Sequence, residues 1–349
     1  MTQPDRKPLK VRILFASGRC WPWHRLVIAR IAQYALVIAI AATINFALPR
    51  LAPGNPVDFL LPPEQAGSLT AEQRSRLLSQ YGLDQSTAVQ FKLYMMGLAS
   101  GDLLYSVRYG RPVRDLILER LPWTLLLVGS ASVLALVIGT FAGFYSGWRR
   151  GTATDAMTLG AFMLIESIPA FFLGMVLILL FAVQLNWFPV FGAIPIIATD
   201  GAAYWIEVAR RLALPLLTAT LSVLGPAYLV ARSSFIAELG EDYVFLSHAR
   251  LEPWQVRRHV ARNALLPVWT NAILIAGNML GGALVIETVF SYPGLGRLIY
   301  ESVLARDYPV IQGCFFVLML TVVSANFVSD LLYPLFDPRV RHPAGEVIG

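Results

Sequence analysis

Long apolar runs at 27–48, 123–147, 156–183, 212–231, 268–288 and 310–333 dominate the pattern of this chain, each close to the roughly 20 residues a helix needs to cross a bilayer. They are too long for the alternating segments of a membrane barrel, and lipid tolerates only helices or closed barrels. The expected fold is therefore an all-α membrane protein with about six transmembrane helices. The first run follows a basic tail, as a signal peptide would. Its core from Leu26 to Leu48 is too long for that, however, and Pro49-Arg50 offers no small-residue cleavage site. It is expected to be retained as the first helix.

The polar segments between the runs set the expected orientation. Arg6, Lys7, Lys10, Arg12, Arg19 and Arg25 precede the first run, Arg149-Arg150 follow the second, and Arg250, Arg257, Arg258 and Arg262 lie between the fourth and fifth. Alternating spans put all three places, and Arg339 and Arg341 near the end, on one side, so both termini are expected to be cytoplasmic. Arg210-Arg211, at the outer end of the fourth run, break the rule. Four segments result: a cytoplasmic tail with the first helix at 1–49, a periplasmic segment at 50–121, a core at 122–336 containing a cytoplasmic loop at 232–267, and a tail at 337–349. Within the periplasmic segment, Ser68-Leu69-Thr70-Ala71-Glu72 has the form of a helix start and Gln73 to Tyr81 can continue it until Gly82. The segment reads as a small helical insert. No internal repeat of the kind that marks many secondary transporters is visible.

Composition agrees with a membrane protein. Of the 349 residues 56% are hydrophobic and 14% charged, far from soluble averages. The net charge of +6 is dispersed in short segments between apolar runs, which fits membrane orientation and argues against nucleic acid as a partner. Two cysteines, Cys20 and Cys314, are too few for a disulfide framework and are expected to be free thiols.

Candidate chemistry is sparse. Lys7, Lys10 and Lys92 are the only lysines and none follows a glycine, so the chain has no phosphate-binding P-loop. Gly294-Leu295-Gly296 follows a membrane run without a βαβ context and reads as a turn. The four histidines are scattered, no metal-ligand spacing or catalytic triad emerges, and no cofactor is expected. Glu166 stands near the middle of the third run, where an ionisable group is costly and faces a cavity or a partner. It is either a translocation-path residue touching a cationic or amine-bearing substrate, with neighbouring Ser167 and with Asn278, or a buried carboxyl that is held by a neighbouring helix or protonated. Pro169 is placed to kink the same run. Asn271, Asn278 and Asn326 also suit interhelical hydrogen bonding.

The loop at 232–267 contains Glu241-Asp242-Tyr243-Val244, Ala249-Arg250-Leu251-Glu252-Pro253-Trp254 and Arg262-Asn263-Ala264-Leu265-Leu266-Pro267. Pro253 is expected to divide it into two short helices. Such a loop is either a docking knob or an ordinary interfacial hairpin with Trp254 at the headgroups. Its pieces resemble the coupling loop of ABC importer permeases of the dipeptide, oligopeptide and nickel branch. Further stretches agree: Arg50-Leu51-Ala52-Pro53-Gly54-Asn55-Pro56, Gly101-Asp102-Leu103, Glu119-Arg120-Leu121-Pro122-Trp123, Glu287-Thr288-Val289-Phe290-Ser291-Tyr292-Pro293-Gly294-Leu295-Gly296, Arg306-Asp307-Tyr308-Pro309 and Asp337-Pro338-Arg339. The resemblance covers nearly the whole chain. One departure is the absence of the glycine usual after the Ala-Arg pair, with Pro253 in place to supply the bend.

The resemblance implies a non-enzymatic permease subunit of the inner membrane. It would move peptides or similar small solutes inward by alternating access, with hydrolysis by partners. Those partners are two ABC ATPase subunits, a second homologous permease subunit and a periplasmic substrate-binding protein, with membrane lipid around the bundle. Asp242, Tyr243, His248, Ala249, Arg250, Leu251 and Glu252 are the expected ATPase-coupling residues. An ion-coupled secondary transporter, which needs no docking loop, is the alternative, and a membrane enzyme or scaffold is a third class.

Overall fold

The structure is a computed structural model that describes residues 23–51, 70–80, 84–106, 108–193, 201–248 and 250–336. Among these the secondary structure is helical, with one isolated backbone bridge between Tyr105 and Pro112. In chain order the helices are α1 (Trp23–Leu51), α2 (Ala71–Gln80), α3 (Thr87–Ser100), α4 (Val113–Trp148), α5 (Ala153–Glu166) and α6 (Ala170–Leu177), the last continued by π-helical turns at Ile178–Gln184. Then come α7 (Ala202–Leu239), α8 (Asp242–His248), α9 (Pro253–Val289), α10 (Leu295–Ala305) and α11 (Tyr308–Phe336). Within α1, α4, α7, α9 and α11 lie five unbroken stretches long and apolar enough to cross a membrane, and the bent pair α5 and α6 brings the number to six when it is counted as one span.

That bent pair corrects the expectation of one continuous helix across 156–183. The two halves meet at 95°. Pro169 has no N–H to donate and crowds the residue before it out of helical geometry, so α5 stops at Glu166 and Pro169 instead caps α6, its carbonyl accepting from Leu173 N at 3.0 Å. Spans two, four and five are much longer than their apolar runs, because polar helical turns extend them beyond the apolar core. The 36 residues of α4 reach about 54 Å, well past a hydrocarbon layer of about 30 Å.

The core of the bundle is α4 against α7. Gly139, Gly143 and Gly147 share one face of α4, and α7 lies so close that a β-carbon at Gly139 would stand 2.8 Å from Ala227 Cβ and one at Gly143 2.8 Å from Ala231 Cβ. In lipid, where apolar burial does not drive association, such backbone proximity supplies the packing contact. Pro215 and Pro226 lie inside α7, where hydroxyls also bond back to carbonyls one turn earlier: Thr218 donates to Leu214 O at 2.9 Å and Ser222 to Thr218 O at 2.7 Å.

The first helix is clasped to the last near both ends. Arg30 pairs with Asp330 at 3.1 Å, where Tyr34 OH also donates at 2.9 Å, and Asn45 and Gln312 exchange two hydrogen bonds at 2.9 and 3.0 Å. The insert after α1 is helical as expected, with Thr70 and Gln73 reciprocally capping α2, but it also holds α3, whose Phe91 and Tyr94 pack on Phe46 of α1. Ser68, Leu69, Tyr81 and Gly82 lie outside the described residues, as do Cys20 and the segment from 337 onward. Cys314 is a free, buried thiol. The two arginines that break the charge rule have local work: Arg211 pairs with Glu207 at 2.9 Å and donates to Phe191 O at 2.8 Å, while Arg210 donates to Trp187 O at 3.3 Å. They tie the 185–192 turn to α7.

Candidate coupling site

At the end of α7 the chain leaves the bundle at Leu239, turns through Gly240 and Glu241, and forms the two-turn helix α8. Pro253 does not separate two short helices, as the sequence had suggested; it opens α9, which runs unbroken to Val289. The reason is positional. The first residue of a helix has no partner for its N–H, so proline there loses nothing, and its fixed φ suits the turn. Glu252 precedes it in extended backbone, its N–H donating to Gln255 Oε1 at 3.0 Å.

The loop is pinned from beneath by an apolar cluster and a polar knot. Phe235 of α7, Val244 of α8 and Val256, Val260 and Ala264 of α9 are buried together, with Phe144, Trp148 and Leu251 packed on them. Tyr243 OH donates to Glu238 Oε1 at 2.6 Å, and Asn263 Nδ2 donates to that same oxygen at 2.9 Å and to Tyr243 OH at 3.1 Å. Three helices therefore meet at one carboxylate. Burial, and then the hydrogen bond to Glu238, push the Tyr243 phenol up to about 12, so it stays a donor throughout the physiological range. Leu251 N donates to Ser247 O at 2.8 Å and Arg250 N to the same carbonyl at 3.1 Å, which closes the turn after α8.

The face that this frame holds outward is apolar. On the isolated chain Phe245 is 81% exposed, Leu246 66% and Trp254 60%, while their neighbours Tyr243 and Val244 face the bundle. Asp242, Arg250 and Glu252 are exposed around them and Leu251 is half-buried in the cluster. Ala249 lies outside the described residues, and of His248 only the backbone is described. The residues expected from the sequence are Asp242, Tyr243 and the stretch from His248 to Glu252, on either side of this pair. Phe245 and Leu246 were missed because an apolar pair in a short helix reads as core until its neighbours are known to take the inward positions.

A second polar anchor lies at the same end. Asp155, near the start of α5, receives both Arg232 Nε at 2.8 Å and Arg232 Nη2 at 2.7 Å, together with Gly151 N at 3.0 Å and the Ser146 hydroxyl. Ser146 Oγ is also 2.6 Å from Tyr228 OH. This fork fixes the bent pair to α4 and α7. Arg257 of α9 stacks on Trp148 of α4 at 4.5 Å. Neither Asp155 nor its fork to Arg232 was identified from the sequence, since one aspartate in a helix start carries no signal of its partner.

The path candidates are placed separately. Glu166 ends α5 at the bend and is exposed on the isolated chain, its side chain seated against Gly225 of α7 so closely that a β-carbon there would come within 2.8 Å of Glu166 Cβ. Ser167 is exposed beside it, its hydroxyl donating to Leu164 O at 2.7 Å. Asn278 is exposed on α9.

Comparison with known proteins adds the family. The family described as "Binding-protein-dependent transport system inner membrane component" matches residues 135–342. The dipeptide transport system permease protein DppB of Alkalihalophilus pseudofirmus is 34% identical over 317 residues, covering 86% of this chain and 94% of that one. The glutathione transport system permease protein GsiC of Escherichia coli O6:H1 is 35% identical over 318 residues, covering 90% and 98%. A chain from inward-facing structures of the MetNI methionine ABC transporter superposes with a TM-score of 0.52 at 17% identity, over 63% of this chain and 96% of that one, which shows a shared fold. By both the family match and these relatives, the chain belongs to the family of inner membrane components of binding-protein-dependent transport systems.

Proposed function

We propose that this subunit carries peptides or similar small solutes from periplasm to cytoplasm by alternating access, and that α8 with the turn after it docks into a separate ATPase subunit. The observation that carries the reading is the Phe245–Leu246 pair, held out from the bundle on a frame that joins α7, α8 and α9 at Glu238. An exposed apolar pair on a rigid frame suits a protein contact. The rigid frame is what lets a push on the pair reach two membrane-spanning helices. In this assignment Phe245, Leu246 and Trp254 make the contact, Asp242, Arg250 and Glu252 form its charged rim, and Tyr243 and Leu251 hold the knob in place. The names of the relatives, dipeptide and glutathione permeases, support the peptide class. The arginines around the loop support a cytoplasmic position for it and for both termini, which puts 50–121 in the periplasm. A second homologous permease, two ATPase subunits and a binding protein complete the assembly. An ion-coupled transporter would have no use for the exposed pair.

Replacing Phe245 and Leu246 together with alanine tests this. Each side chain buried at a contact contributes about 1.5 kcal/mol or more, so losing both weakens docking by about a hundredfold. ATP-driven peptide uptake in proteoliposomes is expected to fall at least tenfold while the chain inserts normally, because neither side chain packs in the bundle. Uptake unchanged from wild type would remove the docking role.

Glu166, Ser167 and Asn278 are assigned to the translocation path. The support is that Glu166 is exposed on the isolated chain at the bend of a membrane pair, where a carboxylate needs a polar or aqueous neighbour. Glu166→Gln is expected to reduce uptake of peptides with a free amino terminus about tenfold and to leave N-acetylated peptides unaffected. Equal loss or equal retention for both would argue for a purely structural carboxyl.

A further inference from the structure

Glu287 lies near the far end of α9 from the coupling loop and is wholly buried, at 0% exposure. Its Oε1 accepts from Thr124 Oγ1 of α4 at 2.7 Å, and its Oε2 accepts from the backbone N–H of Arg297 at 3.1 Å. Thr124 Oγ1 in turn accepts from Leu295 N at 2.8 Å. An internal carboxylate thus occupies the start of α10, where unpaired N–H groups and the helix dipole favour an anion. Gly294 and Gly296 make the approach possible, since a β-carbon at Gly294 would stand 2.2 Å from Glu287 Cδ.

The far end of α10 is fastened as well. Buried Asp307 accepts from Ser106 Oγ at 2.5 Å and from Arg108 N at 3.2 Å. Glu301 accepts from Tyr109 OH at 2.9 Å and from Arg297 Nε at 2.8 Å, and its carbonyl accepts from Arg108 Nη1 at 3.0 Å. Burial alone would raise the Glu301 carboxyl; these two side-chain donors outweigh it and hold the group below its ordinary value, so it is ionised at neutral pH. Ser106, Arg108 and Tyr109, in the segment between α3 and α4, are thus joined to α10 as one cap at this end of the bundle, and Glu287 is the carboxylate on α9 that binds that cap.

We propose that Glu287 is a positioning residue for the transport cycle, making the cap move with α9. Docking of the substrate-binding protein on the cap would then reach the coupling loop, because α9 runs from Pro253 to Val289 without a break, about 55 Å end to end. The inference rests on the proposed role of the loop at the other end of that helix. Two ends of one rigid element can bias a shared equilibrium only while each is firmly attached to what it senses. The bond from Glu287 supplies that attachment at the cap.

The test uses the complete complex of both permeases, the ATPase and the binding protein in proteoliposomes. Glu287→Gln removes the negative charge from the start of α10 and leaves one acceptor oxygen in place of two, so the Thr124 hydroxyl has to turn from donor to acceptor; Thr124→Val removes the hydroxyl with little change of shape. In both variants basal ATP hydrolysis per assembled complex is expected to stay within twofold of wild type, while stimulation by loaded binding protein falls at least fivefold. Thr124→Ser, which keeps the hydroxyl, restores it. Stimulation within twofold of wild type, or a parallel fall of basal and stimulated hydrolysis, overturns the proposal. If Glu287→Gln fails to assemble, the two Thr124 variants decide by the same criteria. Failure of the underlying functional reading shows differently, as a wild-type complex without stimulation.

Discussion

Alanine at Gly296 is expected to remove almost all of the folded protein from the membrane. The added β-carbon would stand 2.3 Å from Leu284 Cα and 2.9 Å from both Leu284 N and Glu287 Oε2. Two of these atoms are backbone of α9, so no side-chain rotation relieves the overlap. The start of α10 must instead lift away, taking Arg297 N off Glu287 and opening the cluster in which Leu295, Leu298 and Ile299 pack on Val113, Leu116 and Ile117. Overpacking a core costs about 1–3 kcal/mol when neighbours yield and more when they do not. Here the two backbone atoms of α9 cannot yield, so the cost lies above that range and takes a large share of a total stability on the order of 5–15 kcal/mol. Gly282 is the control: a β-carbon there meets nothing within 4 Å, and its place inside a helix favours alanine by about 0.5–1 kcal/mol. Quantitative blots of membrane fractions should show Gly296→Ala strongly depleted and Gly282→Ala at wild-type level or above. Equal amounts of both would mean that α10 does not sit as described.

Asp155→Ala is expected to cost nearly as much by a different route. Asp155 is 4% exposed and receives a two-pronged bond from Arg232, so its removal leaves a guanidinium charge largely inside the bundle without a counter-ion. Breaking a buried pair from one side costs about 3 kcal/mol or more, because the remaining charge keeps its desolvation penalty. The Ser146 hydroxyl and Gly151 N lose an acceptor too. Removing both charges relieves most of this, so Asp155→Ala with Arg232→Met should melt well above Asp155→Ala alone in detergent, as a double-mutant cycle would register. If the double variant melts at or below the single, the pair is not what fixes the bent helix pair to the bundle.

Much of the architecture was legible in hydropathy, because a bilayer imposes a minimum length on every apolar run. The extensions of α4, α7 and α9 were not, since turns such as Arg114–Arg120 are helical but polar and carry no membrane signal. The insert helix α3 was missed for the opposite reason: its apolar face packs on Phe46 in a segment that hydropathy reads as outside. Pro169 was recognised as a kink site, but the size of a proline kink depends on where the next helix packs, and a 95° bend requires α6 to leave the line of α5. Intramembrane acids divided in the same way. Glu166 stood out because it interrupts a run, whereas Glu287 sits at the edge of one and is distinguished only by partners on α4 and α10, the first of them far away in sequence. In the candidate coupling site the sequence pointed to Asp242, Tyr243 and the stretch from His248 to Glu252, and not to the protruding apolar pair between them.

The central claim is that the protruding pair on α8 touches an ATPase subunit, and it can be measured at one residue. A photo-reactive phenylalanine analogue placed at Phe245 keeps the aromatic ring where the side chain is exposed. Irradiating the assembled complex in membranes should yield a crosslink between this chain and the ATPase subunit, with none to the binding protein. Crosslinks to the binding protein, to lipid alone or to no subunit at all would contradict the account.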